Sequence, residues 1–189
     1  MYKNFKRMAT LFIAAATMFA VSCTKEENNT NNGNRGTDAT FTAAKADITY
    51  KITLDAASAQ ALNRAYDAFL DYYDSDGTIK SSTEINANNL TWQKSVTPTS
   101  FPAEVGYRIR LVPKSNLDGV TEEDSFDCTG TLSLQGTCTS TTGKTREISR
   151  SLQISKQGIN PLNGRTFKEV LHYQIKTDGT SESNNTWQE

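Results

Sequence analysis

The side chains with the clearest chemical potential are three cysteines and one histidine. Cys23 directly follows the small residues 20–22, and a thiol at such a point can carry lipid after cleavage by a signal peptidase. Cys128 and Cys138 form an even pair in the rest of the chain, and such a pair in an exported protein can form a disulfide. His172 is the single imidazole, so any mechanism that needs a histidine base would have to use it.

The spacing of Cys128 and Cys138 limits their chemistry. In one extended strand, ten residues place two Cα atoms ~33 Å apart, whereas a disulfide needs them within ~7 Å. A bridge therefore requires the chain to reverse between the cysteines, which Gly130 or Gly136 would allow. The alternative is two small apolar thiols on one strand. Neither a CxxC pair nor a nearby histidine accompanies them, so we expect no metal site here.

His172 lies in a segment with a period of two, opposite Leu171 and Tyr173. The alternation predicts that His172 faces solvent. No G-x-S-x-G motif precedes it, and the sequence contains no Walker or dinucleotide-binding glycine pattern. A pair of carboxylates for glycoside hydrolysis does not stand out among the many acidic residues. We therefore expect no catalytic residue, no cofactor and no enzyme activity.

The segment 74–77 reads Asp-Ser-Asp-Gly and is the nearest approach to a calcium loop. If Gly77 took the glycine position of such a loop, Tyr72 and Thr83 would stand where the first and last ligands belong, and neither is a carboxylate. An Asp-Gly pair between two strands is instead typical of a hairpin turn. The sequence therefore predicts a turn and no metal site.

Four aromatic residues could form a platform for sugar rings: Trp92, Tyr72, Tyr73 and Tyr107. The alternative places them in the core, where a sandwich often buries one tryptophan. We favour the core for Trp92, because its strand has few other large apolar residues. Trp187, in a polar tail, is the better candidate for an exposed aromatic side chain.

Residues 1–22 have a basic start followed by an apolar run at 8–21. The run is too short for a comfortable membrane span, which needs about 20 apolar residues. A retained membrane helix and an ordinary secretory signal are the alternatives. Because Cys23 stands where the apolar run stops, we expect residues 1–22 to be a signal peptide whose removal leaves Cys23 as the lipidated first residue.

The residues around Cys23 resemble known export signals. Residues 20–23, Ala-Val-Ser-Cys, resemble a bacterial lipobox, although alanine stands where leucine is commonest. Lys25, Glu26 and Glu27 are similar to the export tag of surface-exposed lipoproteins of the Bacteroidetes. The resemblance implies lipid at Cys23 and an outer-membrane location, either periplasmic or surface-exposed.

The remaining 167 residues are enough for one domain. Three of the 20 Lys and Arg residues lie within 1–22, so the rest carries 17 cations against 21 Asp and Glu. This mildly acidic balance disfavours nucleic acid as a partner. Residues 23–39 are rich in Asn, Gly and charge and predict a flexible tether. We expect a folded domain over 40–180 and a polar, frayed tail over 181–189.

The dominant hydrophobic period of the domain is two. The predicted strands are 48–54, a weaker one at 78–85, 90–96, 105–111, 126–134, 145–154 and 171–175. Six to eight short strands with turns between them predict an all-β fold. We expect a single immunoglobulin-like antiparallel β-sandwich with one short helix.

Residues 57–73 fit both a helix and a strand. Apolar side chains at helical spacing favour a helix, which Asp55 or Ser58 could cap. The Asp-Gly turn that follows favours a strand. We predict a helix over 57–64 and a strand over 66–73, with a helix running through to Tyr73 as the alternative.

The segment 66–114 is similar to small immunoglobulin-like lipoproteins of the Bacteroidetes. The shared features are a Tyr-x-Asp-x-Asp-Gly hairpin, a Trp-x-Lys strand and a Pro-Ala turn into a strand that ends at Pro-Lys. The matching residues are Tyr72, Asp74, Asp76, Gly77, Trp92, Lys94, Pro102, Ala103, Pro113 and Lys114. The resemblance implies an immunoglobulin-like fold and a location in the cell envelope, but no activity.

We expect a non-enzymatic module of the cell envelope, held to the membrane by Cys23, that binds a glycan, a host component or an envelope protein. The alternative is a structural, fimbria-like subunit whose edge strand pairs with another chain. A small hydrolase is the third hypothesis. The sequence names no ligand and no oligomeric state.

Overall fold

The computed structural model describes residues 40–184 and Trp187. Within these residues the chain forms nine strands, one α-helix and one 3₁₀ turn. The strands are β1 (Ala43–Leu54), β2 (Tyr66–Tyr73), β3 (Ile79–Ser82), β4 (Thr91–Val96), β5 (Ala103–Pro113), β6 (Phe126–Ser140), β7 (Thr145–Ile159), β8 (Phe167–Ile175) and β9 (Ser181–Ser183). The helix α1 is Ser58–Arg64, and the 3₁₀ turn is Pro161–Asn163.

The strands form two antiparallel sheets. Sheet A has the order β4-β1-β6-β7, and sheet B has the order β3-β2-β5-β8-β9. Buried side chains from both sheets make one hydrophobic core. The prediction of an all-β antiparallel sandwich with one short helix is therefore confirmed, whereas the immunoglobulin-like topology stays a prediction.

The alternation of apolar and polar residues in β1 sets its register in the centre of sheet A. Ile48, Tyr50 and Ile52 are buried, while Lys51 and Thr53 are exposed. A shift of one residue would expose the whole apolar set, so the pairing of β1 with both β4 and β6 is strongly specified.

Two buried tyrosines join the sheets through the core. The rings of Tyr50 and Tyr107 lie 5.3 Å apart between centroids. The Tyr107 hydroxyl lies 2.7 Å from the Lys51 carbonyl oxygen and 2.9 Å from that of Ser133, so a residue of sheet B hydrogen-bonds sheet A. Burial raises the pKa of both phenols, which therefore stay neutral at physiological pH.

The ambiguous segment after β1 is a helix followed by a strand, as predicted. The predicted cap is wrong, because Ala57 stands at the N-cap and no side chain caps the helix. Asp55 and Ser58 hydrogen-bond Thr129 of β6 instead, which fixes the start of the helix on sheet A. Within the described residues no helix is long and apolar enough to span a membrane.

Several boundaries differ from the predicted ones. β3 is shorter than 78–85, whereas β6 and β7 extend beyond 126–134 and 145–154 because their pairing continues along a long hairpin. The prediction of a frayed tail from residue 181 is wrong for β9, which pairs with β8 and extends sheet B.

Candidate functional site

Cys23 lies outside the residues that the structure describes, together with the predicted signal peptide and tether. Lipid attachment at this thiol therefore stays a prediction. The other candidate residues lie within the described part of the chain.

The possible disulfide between Cys128 and Cys138 is wrong. Both thiols are buried and free on the single strand β6, which does not reverse between them. Gly130 and Gly136 serve another purpose, because a Cβ on either would lie within 2.4 Å of a carbonyl oxygen of β1. They let β1 approach β6 closely. Burial raises the pKa of Cys128 to about 11 and also raises that of Cys138, so both are inert core thiols at neutral pH.

The predicted hairpin turn at 74–77 is confirmed. It joins β2 to β3, and the Gly77 amide donates to the Asp74 carbonyl oxygen over 3.0 Å. The Asp76 carboxylate accepts hydrogen bonds from the side chain and backbone of Thr78 at 2.6 and 2.9 Å. These bonds lower the pKa of Asp76. The carboxylates therefore build the turn.

His172 does not face solvent, and that prediction is wrong. The residue is 3% exposed and lies on the outer face of sheet B. Its ring stacks on Tyr73, and Trp187 from the tail packs against both rings at 4.9 and 5.5 Å. The period-two pattern missed this, because two distant aromatic residues bury the outer position.

The polar neighbours of His172 converge on Glu104. His172 Nε2 lies 2.8 Å from Glu104 Oε2, although neither ring nitrogen meets hydrogen-bond geometry with any described residue. Gln174 and Asn184 donate side-chain amide hydrogens to the same carboxylate at 2.7 and 3.2 Å. These contacts hold Asn184 on sheet B, because its backbone N–H also donates to the His172 carbonyl oxygen.

A second polar cluster lies beside it on the same face. Asp71 is 4% exposed and accepts hydrogen bonds from Arg108 at 2.8 Å, Arg110 at 3.0 Å and Ser81 at 2.7 Å. Burial alone would raise the pKa of Asp71, but these donors outweigh it and hold the pKa below its usual value. The Arg108 guanidinium also lies 5.2 Å from the Trp187 ring centroid. No local pattern in the sequence predicts this cluster, because its members come from three strands.

The aromatic residues proposed as a sugar platform separate in the structure. Trp92 is 5% exposed and belongs to the core, as favoured from the sequence, and Tyr107 is fully buried. Tyr73 packs on His172 on the opposite face of sheet B. Trp187 is docked rather than freely exposed. Only Tyr72 stays half-exposed, with its ring centroid 5.3 Å from that of Trp92.

Tyr72 and Trp92 form the floor of a cleft of about 380 Å³ between the edge strands β3 and β4, which we call the β3–β4 cleft. Its rim carries hydroxyl, carboxylate, amide and ammonium groups, from Ser81, Ser82, Thr83, Glu84, Gln93 and Lys94. The Lys94 ammonium lies 5.7 Å from the Tyr72 ring centroid. Such a mixture can hold a polar ring, with aromatic contact below and hydrogen bonds around it.

Only part of this cleft could be predicted from the sequence. Lys94 follows Trp92 at a spacing of two on a strand and therefore shares its face. Glu84 reaches the rim from the loop after β3, which no pattern in the sequence predicts.

Comparison with known proteins identifies no relative. No protein-family model matches the chain, no curated protein is significantly similar to it, and no solved structure matches its fold. The function therefore has to be inferred from the described side chains themselves.

Proposed function

We propose that the chain is a lipid-anchored, non-enzymatic binding module of the bacterial outer membrane that holds a glycan in the β3–β4 cleft. The anchor is Cys23, the residue directly after the predicted signal peptide. The tether over 23–39 would span roughly 20–25 Å as a flexible coil and lift the domain off the membrane.

One observation carries the binding proposal: a half-exposed tyrosine ring lies on a buried tryptophan inside a cleft with a polar rim. The Tyr72 ring offers an apolar face, on which the C–H groups of a sugar can pack. Glu84 accepts hydrogen bonds from sugar hydroxyls, whereas Lys94 donates them. Trp92 beneath Tyr72 keeps the ring in place before the ligand arrives, which reduces the cost of ordering it.

Tryptophan fluorescence can test this binding site. The chain has two tryptophans, so Trp187→Phe leaves Trp92 as the single reporter, directly below Tyr72. The full chain, purified in detergent, is first screened on a printed array of bacterial and host glycans. The oligosaccharide with the strongest signal is then titrated while the Trp92 emission is recorded.

We expect the emission to change with saturation. Tyr72→Leu should weaken binding at least about tenfold, whereas Tyr72→Phe should retain most of it, because the ring rather than the hydroxyl makes the contact. Phe69→Leu is the matched control on the opposite face of β2, where Phe69 lies under Arg110. No binding on the array, or equal loss in Phe69→Leu and Tyr72→Leu, would refute the proposal.

One observation favours a structural subunit as the second candidate. β7 has 15 residues and forms an edge of sheet A, paired on one side with β6 in the described region. A long edge strand can pair with a strand of another chain. However, the inward-facing Lys156 forms an ion pair with Glu169 of β8, and such charges disfavour edge pairing. Sedimentation of the full chain should show self-association if this candidate is correct.

A further inference from the structure

A second cavity lies at the other edge of the sandwich from the β3–β4 cleft. Its volume is about 410 Å³, within the range of small-molecule sites, and it lies where the end of β7 meets the 3₁₀ turn and β8. The residues that matter for its chemistry are Lys156, Gln157, Gly158, Asn163, Arg165 and Phe167. Two of the lining side chains are cations, and none of them is acidic.

The charge of this lining differs from the balance of the chain. Beyond residue 22 acidic residues outnumber cations by 21 to 17, whereas the lining of this cavity has two cationic side chains and no acidic one. The β3–β4 cleft, by contrast, includes both Glu84 and Lys94. The difference in charge indicates that the two cavities suit different ligands.

Arg165 is the cation available to a ligand. Its guanidinium carbon lies 5.2 Å from the Phe167 ring centroid, and the Phe167 ring packs edge-on against the buried Tyr66. Stacking on a supported ring orients the planar guanidinium. Among the carboxylates that the structure describes, none forms an ion pair with Arg165. Lys156, by contrast, is already paired with Glu169.

The other polar residues of the lining are neutral, and hydrogen bonds within the chain hold one of them, Asn160, in place. The side chain of Asn160 donates to the carbonyl oxygens of Thr121 and Asp124 and accepts from the Leu162 amide, so this part of the lining is fixed within the chain. The side-chain amides of Gln157 and Asn163 border the cavity and can donate to or accept from hydroxyl groups. A guanidinium beside two amides suits a ligand with one carboxylate and several hydroxyls.

We propose that this cavity binds a carboxylate-bearing sugar, a uronic acid residue of an acidic glycan, with its carboxylate on Arg165 and its hydroxyls near Gln157 and Asn163. The site is independent of the β3–β4 cleft, because it lies at the opposite edge and shares no residue with it. Bidentate pairing with Arg165 supplies the selectivity for the carboxylate.

Calorimetric titration of the full chain in detergent tests this site. The probe is trigalacturonate, and its methyl ester is the comparison, since it keeps the sugar rings and removes the charge. Arg165→Gln should weaken trigalacturonate binding at least about tenfold. Arg146→Gln is the matched control, because the exposed Arg146 also stacks on an aromatic ring, Phe41, at 4.6 Å, but lies outside the cavity.

Hydrogen-exchange mass spectrometry locates the bound probe. We expect the bound probe to protect backbone amides of 155–167 from exchange and Tyr72→Leu to leave its binding unchanged. The proposals for this site and for the β3–β4 cleft are therefore tested separately. Acetate and inorganic phosphate are titrated as competitors to separate a sugar acid from any anion. Equal binding of the methyl ester, equal loss in Arg146→Gln, or displacement by acetate or phosphate at equal concentration would each overturn the proposal.

Discussion

The imidazole ring of His172 stacks on the phenol ring of Tyr73, with centroids 4.8 Å apart and an interplanar angle of 16°. Gly106 lies between the two in the sheet, since it pairs with His172 of β8 and stands one residue before Tyr107, the partner of Tyr72 in β2. A Cβ on Gly106 would lie 2.2 Å from the Leu171 carbonyl oxygen and 2.7 Å from the His172 Cα. The stacked pair therefore depends on a residue without a side chain at this position.

Gly106→Ala should lower the free energy of unfolding by about 3 kcal/mol or more, because the clash is with backbone atoms that cannot move independently. Gly143→Ala is the control. Its φ is also positive, at +80°, but no atom lies within 4 Å of the added Cβ, so we expect a loss of about 1–2 kcal/mol. Chemical denaturation of the two variants measures the difference, and equal losses would show that close approach at Gly106 does not matter.

Trp187→Ala should expose His172 to chemical modification. The side chain of His172 is 1% exposed and lies against the indole ring. Because His172 is the single histidine, the reaction with diethylpyrocarbonate reports on this residue alone. We expect faster modification in Trp187→Ala than in the wild type, and a rate near the wild-type value in Trp187→Phe, which keeps an aromatic ring. A wild-type rate in Trp187→Ala would mean that the indole does not cover His172 in solution.

Asp71 should make the stability of the protein sensitive to acid. Its pKa is lower in the folded chain than in the unfolded chain, so its stabilising contribution is complete above the unfolded pKa of about 3.9. The contribution is lost as the pH falls below that value and through the folded pKa. Asp71→Asn should reduce stability at neutral pH by about 2–3 kcal/mol and flatten the decline below pH ~4.

Asp67→Asn provides the comparison for Asp71→Asn. Asp67 lies on the same strand and pairs with Lys114, but its side chain is 51% exposed. Surface ion pairs of this kind contribute about 0–1 kcal/mol. Denaturation curves recorded from neutral pH down to pH ~3 would contradict the account of Asp71 if both variants kept the same acid dependence.

Cys128 and Cys138 should both be free in the folded protein. Without a reductant, we expect alkylating reagents to modify these buried thiols only after a denaturant is added. Mass spectrometry counts the added groups, and the acylated Cys23 would not contribute. A bridge between Cys128 and Cys138 would instead leave both unmodified until a reductant is added.

The strands and the helix were predictable where the signal is local. The alternation in β1 and β5 follows from which side chains face the core, and the boundary between α1 and β2 follows from a change of period. The turn at 74–77 was predictable because Asp-Gly has its own backbone preference.

The candidate sites were harder to predict, because distant segments assemble them. His172 is buried by Tyr73 and Trp187, and no residue near His172 in the sequence predicts either contact. The glycines of β6 suggest a chain reversal when they are considered alone, whereas the close approach of β1 explains them. Arg165 and Phe167 were not singled out, since their cavity needs the end of β7 beside β8.

We propose that lipid on Cys23 holds this sandwich at the bacterial membrane. The most direct measurement is to grow the expressing bacterium with an alkyne-tagged palmitate and to compare the wild-type chain with Cys23→Ala. We predict that the wild-type chain incorporates the tag and sediments with membranes, whereas Cys23→Ala does neither. A wild-type chain without the tag, or equal labelling of the two chains, would contradict the claim.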